Sequence, residues 1–173
     1  QPPLYYAMGG LLISPTTRRD IADYLRSNEL IFTWGRREGN PNQWLHPPTL
    51  PSGDTHVAIW TLRLCSLTLA CGTLWCIYRA AFLATDSTPV ALTVMLTTAC
   101  IPTFASISAS VNNDNLVTLL CSAAVYWTLR VLRFGLRKYD WAAIAFIVSA
   151  IALTKFTGLS VVAVAALGLG LAL

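Results

Sequence analysis

From Cys65 to Leu173 the chain runs through long stretches almost empty of charge, and that emptiness restricts the fold more than any other feature. Hydrophobic residues make up 55% of the sequence and charged residues 12%, against about 25% charged in a soluble domain. Lipid cannot satisfy open backbone groups, so each apolar run predicts a helix. A span needs about 20 mostly apolar residues. The runs are Leu62–Phe82, Val90–Ser110, Leu116–Leu132, Trp141–Phe156 and Leu159–Leu173. The fold class expected is an all-α polytopic membrane protein, a transmembrane bundle of about five spans over residues 62–173.

Charge orients the bundle. The turn RVLRFGLRKYD carries Arg130, Arg133, Arg137 and Lys138 and is short, so the positive-inside rule places it in the cytoplasm. Arg79 and the 84–88 connection then lie inside, and the turn VNNDN at 111–115 faces outward with the polar region 14–61. Five arginines in 14–58 are balanced by Asp20, Asp23, Glu29, Glu38 and Asp54, and the segment is long enough to weaken the rule. Formal charge is +4, yet the basic residues sit at the ends of apolar runs. Lipid headgroups account for them and a nucleic-acid partner does not. Cys65, Cys71, Cys76, Cys100 and Cys121 lie in or beside apolar runs, form no CxxC and read as free thiols.

Residues 1–13, QPPLYYAMGGLLI, are too short to cross alone. Proline suits a helix start, and Tyr5 and Tyr6 suit the headgroup level. A juxtamembrane helix on the outer face is expected, the alternative being part of a spanning helix. A chain that starts inside such an element is expected to be a piece of a longer protein.

Several polar groups stand out against this background. Asn112, Asn113, Asp114 and Asn115 can cap the helix that follows, with Asp114 favoured as an anion at its N-terminus. The functional alternative is a carboxylate with amides held rigidly at the outer face to bind a polar substrate, a metal or a phosphate headgroup. Lys155 in LTKFTGL falls in an apolar helix near the outer end of the fourth span. It either snorkels to the headgroups or meets a lipid phosphate on a face shared with Asp114. The loop FTWGRREGNPNQWLHPP offers Trp34, Trp44 and Arg36 to stack on a sugar or seat the loop. Its His46, with His56, is a weak metal hint. Arg63, at the outer end of its span, can hold a phosphate or the loop.

Taken in order, these elements resemble the GT-C superfamily of membrane glycosyltransferases, close to the protein mannosyltransferase and aminoarabinose transferase (family 39-like) group of bacteria. The elements are QPPLYY at 1–6, Arg63-Leu64-Cys65-Ser66-Leu67, the P-x-F-x-x-x-S-x-S-V-N-N-D stretch from Pro102 to Asp114, and LTKFTGL from Leu153 to Leu159. The resemblance implies a GT-C-like bundle with an outer juxtamembrane helix and loop. It also implies transfer of a sugar from a polyprenyl-phosphate donor to a glycan, lipid or protein acceptor at the extracytoplasmic face of the plasma (inner) membrane. Membrane lipid is the other expected partner.

An inverting displacement follows from the same resemblance, with a base in an outer loop ahead of QPPLYY. The piece is therefore expected to be inactive alone. Within this chain, Asp114 is the candidate catalytic residue, orienting the acceptor or a metal or securing the loop. Lys155 and Arg63 are candidates for the donor phosphate. Gln1, Tyr5 and Tyr6 are expected to line the entrance, with Asn112, Asn113 and His46 secondary. No cofactor is certain, and a divalent metal is an open option. The rival readings are a flippase for a lipid-linked sugar, which commonly shows midplane helix breaks and internal repeats, and a non-catalytic scaffold.

Overall fold

The structure, a computed structural model, describes residues 3–16, 26–27, 44–45 and 53–170. A short helix, α1 (Leu4–Leu12), precedes a minimal antiparallel pairing of β1 (Arg26–Ser27) with β2 (Trp44–Leu45), in which Arg26 faces Leu45 and Ser27 faces Trp44. The rest is helical: α2 (Gly53–Thr85), α3 (Thr88–Ala99), α4 (Pro102–Ala109), α5 (Asp114–Phe134), α6 (Lys138–Thr154), a 3-10 turn (Phe156–Gly158) and α7 (Leu159–Gly170).

Two helices, α2 and α5, are long and apolar enough to cross a membrane, and α3 with α4 makes a third span if the bent pair is one. That pair replaces the single helix expected over Val90–Ser110. It bends by 66°, because Pro102 has no N–H to give and forces Ile101 into an extended conformation with ψ 119°. The first span starts earlier than expected, at Gly53 rather than Leu62. Asp54 in its first turn is an acid at the helix end that favours one. The fourth and fifth runs form helices of 17 and 12 residues among those described, the first at the short limit of a span and the second below it.

Packing follows small residues. The buried positions of α2 are Thr55, Ala58, Ser66, Ala70, Thr73 and Ala80, which let its backbone lie close to α5 and α3. From α5, Leu116, Leu120 and Ala124 form a stripe at helical spacing. They meet Ile147, Ala150 and Ile151 of α6, and Tyr5 of α1 closes the end of this core. All five cysteines are free thiols.

At the other end of the bundle, α5 stops at Gly135, whose φ of 77° only glycine adopts readily. Asp140 near the start of α6 is fully buried. It accepts the Arg137 backbone N–H at 2.7 Å and the Trp127 indole N–H at 3.1 Å, and it pairs with Arg130. Burial acts to raise the Asp140 pKa, but the Arg137 N–H, the Trp127 indole and the Arg130 charge outweigh it and hold the carboxyl below its usual range.

Candidate active site

The turn between α4 and α5 is built by its own side chains. Asn112 Oδ1 accepts the Asp114 backbone N–H at 3.1 Å, and Asn112 Nδ2 donates to Asp114 Oδ2 at 3.3 Å. Asn115 is buried and donates from Nδ2 to the carbonyls of Ile107 (3.1 Å) and Ser110 (3.0 Å). It therefore ties the end of α4 to the start of α5, joining the Ser110 N–H and hydroxyl on the Ile107 carbonyl and capping that of Ser110. Asn112 does the work of a cap, whereas Asn115, also expected as one, is a staple. Asp114 is thus fixed at the N-terminus of α5.

Lys155 does not lie within a helix, contrary to expectation. The α6 helix ends at Thr154, and Lys155 is extended, with φ −164° and ψ 127°. This break turns its side chain toward α5, where Nζ donates to Asp114 Oδ1 in an ion pair. The expected shared face is thereby a direct contact. Both carboxylate oxygens of Asp114 are engaged, one by Lys155 and the other by Asn112. Side chains about a third exposed (35% for Lys155, 30% for Asp114) gain only about 0–1 kcal/mol from such a pair. Its importance is one of position.

Beside the turn lies a cavity of about 410 Å³ lined by Tyr5, Tyr6, Gly9, Gly10, Ile13, Leu62, Val111, Asn112 and Asn113. One wall is α1, which approaches α2 closely at Gly9: a Cβ there would sit 3.3 Å from Leu62 Cδ2. Tyr5 is buried, and Tyr6 is half exposed and edge-on to it, ring centroids 5.8 Å apart. The Tyr5 hydroxyl faces Ser66 of α2 and the Asn112 backbone, and burial pushes the phenol pKa up. Ser66 Oγ is sealed from solvent and makes no hydrogen bond of normal geometry, so the Tyr5–Ser66 approach is polar proximity rather than a formed bond.

Of the sequence-predicted residues, Tyr5, Tyr6, Asn112 and Asn113 share this cavity, and Asp114 with Lys155 adjoins it through Asn112. Gln1 and His46 lie outside the described residues. Arg63 does not line the cavity. It is exposed, about 100° around α2 from Leu62, with its guanidinium 5.6 Å from the Trp60 ring centroid. Trp60 in turn donates its indole N–H to His56 Nε2 at 2.7 Å. Among the described residues no three His, Cys, Asp or Glu side chains come together to hold a metal ion. Sequence reasoning gave Ser66 no separate weight and missed the staple at Asn115.

The turn, the lysine and the span that supports them fall inside one recognisable pattern. The model of the dolichyl-phosphate-mannose-protein mannosyltransferase family matches residues 55–173, more than half of the chain. The chain belongs to this family. It is a membrane glycosyltransferase that uses a polyprenyl-phosphate-linked sugar donor. No curated protein and no solved structure gives a match. The family match takes in Asp114 and Lys155 and begins after α1, so the tyrosines of the cavity enter the site on geometry alone.

Proposed function

We propose that sugar transfer takes place at the cavity between α1 and the 111–113 turn, with Lys155 receiving the donor phosphate and Asp114 orienting the reacting groups. The observation that carries this reading is the Asp114–Lys155 pair standing beside a cavity whose walls include Tyr5, Tyr6, Asn112 and Asn113. In the transfer, an acceptor hydroxyl oxygen bonds to the anomeric carbon while the bond from that carbon to the phosphate oxygen breaks. The phosphate keeps the electron pair and the acceptor loses its proton. Such a step needs a base near the hydroxyl and positive charge at the phosphate.

Lys155 supplies a point charge suited to phosphate. Asp114 is an orienting group, its oxygens held at rest by Lys155 and Asn112, and the acceptor's proton passes to the acidic base that the resemblance implies in an outer loop ahead of QPPLYY. A donor phosphate reaching Lys155 also approaches the N-terminus of α5, which favours anions. Tyr5 and Tyr6 form the wall past which the sugar enters. In this reading the protein is multi-pass in the plasma membrane, with a GT-C-like bundle, and this end is extracytoplasmic.

The test uses the full-length protein in membranes with a polyprenyl-phosphate sugar. Asp114→Asn is expected to insert normally and lower kcat by about tenfold or more, some 1.4 kcal/mol of transition-state stabilisation. Lys155→Met is expected to raise the donor KM with a smaller change in kcat. Unchanged transfer in Asp114→Asn would reduce that residue to a helix cap. Equal donor affinity in Lys155→Met would remove the phosphate role.

A further inference from the structure

At the end of the bundle away from the Asp114 turn, a second cavity of about 610 Å³ opens between α2 and α3, lined by Trp75, Tyr78, Arg79, Phe82, Leu92 and Met95. Three of its aromatic rings form a ladder along α2. Trp75 and Tyr78 stack at 6.1 Å between centroids, and Tyr78 and Phe82 at 6.4 Å. Arg79 is the one charge in this wall. Its guanidinium lies 5.6 Å from the Trp75 centroid and 5.8 Å from that of Tyr126.

The neighbouring arginines have acids: Arg130 pairs with Asp140, and Arg133 with Asp86. Among the described residues Arg79 has no carboxylate within ion-pair distance. Ring faces offset only part of the cost of holding a cation in apolar surroundings. The surrounding charge sharpens the demand for an anion. Arg79, Arg130, Arg133, Arg137 and Lys138 gather at this end against Asp86 and Asp140.

Depth selects the anion. The 33 residues of α2 extend about 50 Å, so a hydrocarbon core of about 30 Å centred on the helix ends near Arg79, where headgroups meet acyl chains. Arg79 is also about 25 Å along α2 from Leu62 at the first cavity, too far for the donor phosphate seated by Lys155 to reach. We propose that this groove is a binding site for an anionic glycerophospholipid of the leaflet opposite the transfer site. The phosphate sits on the Arg79 guanidinium, which matches it with two parallel hydrogen bonds. An acyl chain lies along Trp75, Leu92 and Met95. The bound lipid fills the groove between α2 and α3 near their connection.

The experiment uses the full chain in phosphatidylcholine nanodiscs carrying a small fraction of brominated lipid, with tryptophan quenching as the readout. Brominated phosphatidylglycerol is expected to quench at a lipid fraction about fivefold lower than brominated phosphatidylcholine, the preference one basic group supplies near an anionic leaflet. Arg79→Gln is expected to abolish that preference. Should this variant fail to insert, Met95→Phe, which narrows the groove, keeps the arginine and adds no tryptophan, is expected to abolish it equally. Equal quenching by the two lipids in the parent protein, or a preference that survives in the inserted variant, would overturn the proposal. Displacement of phosphatidylglycerol by stoichiometric polyprenyl phosphate would assign the groove to the donor and overturn it as well.

Discussion

Gly158 is where the arrangement at Lys155 is most open to perturbation. A Cβ at this position would lie 2.6 Å from Ile151 Cγ2 and 2.8 Å from Val117 Cγ2. Carbon atoms in good contact sit about 3.5–4.0 Å apart, so Gly158→Ala demands about 1 Å of movement. The 3-10 turn is held on α6 and α5 by these two neighbours. Ile151 is completely buried, and Val117 is buried as well, so neither has free space to yield into. Overpacking of this kind costs about 1–3 kcal/mol, and packing rather than apolar burial is what holds membrane helices together. The easier movement is outward displacement of the turn, which carries Lys155 away from Asp114. Gly158→Ala is therefore expected to lower the unfolding temperature in detergent and to raise the donor KM together. Ile151→Leu removes the clashing methyl at nearly constant volume. The double variant is expected to be less destabilised than the sum of the singles, as measured by a thermal-unfolding cycle. A Gly158→Ala protein with parental stability and donor affinity would refute this packing argument.

Three further expectations follow from the same contacts. Asp140→Asn removes the charge that Arg130 meets and is expected to cost about 1–3 kcal/mol, read by thermal unfolding. Because the folded Asp140 pKa lies below its unfolded value, the carboxylate's contribution is full above about pH 4 and is lost as the pH falls through the folded value; an acid-unfolding profile should be flatter in the asparagine variant. Asn115→Asp sets a carboxylate against the Ile107 and Ser110 carbonyls in place of two N–H donors. It is expected to destabilise by more than Asn115→Ala, itself about 1–3 kcal/mol, and a reversed order would show that the staple does not hold the turn.

The apolar runs were readable, because lipid imposes a length and an apolar composition on each helix. The bend at Pro102 was missed, because the hydropathy of Val90–Ser110 runs across it and conceals it. The start of α2 was hidden because Asp54 and His56 give its first turn a loop's polarity. Sequence order placed Asp114 and Lys155 on one face but could not say that they touch. Their contact depends on α6 ending at Thr154, and that ending is fixed by tight tertiary packing around Gly158. Asp140 looked like one more polar residue in a basic turn. Its burial arises only when Trp127 and Arg130, 13 and 10 residues earlier, fold back over it.

The two helix ends at the proposed transfer site explain why a charge pair can stand at the edge of an apolar bundle. Asp114 occupies the first turn of α5, where unpaired N–H groups give a partial positive charge. Lys155 follows the last residue of α6, where unpaired carbonyls give a partial negative one. The helices α5 and α6 pack together, so each charge is stabilised by its own helix end before it meets its partner. Exchange is correspondingly easy. A donor phosphate that takes Lys155 leaves Asp114 still favoured by the N-terminus of α5 and still bonded to Asn112. The carboxylate then has one oxygen free to receive an acceptor hydroxyl. On the proposed reading the pair is a closed form of the site that the donor opens, and the hydrogen-bonded 110–115 turn keeps the released carboxylate where it was.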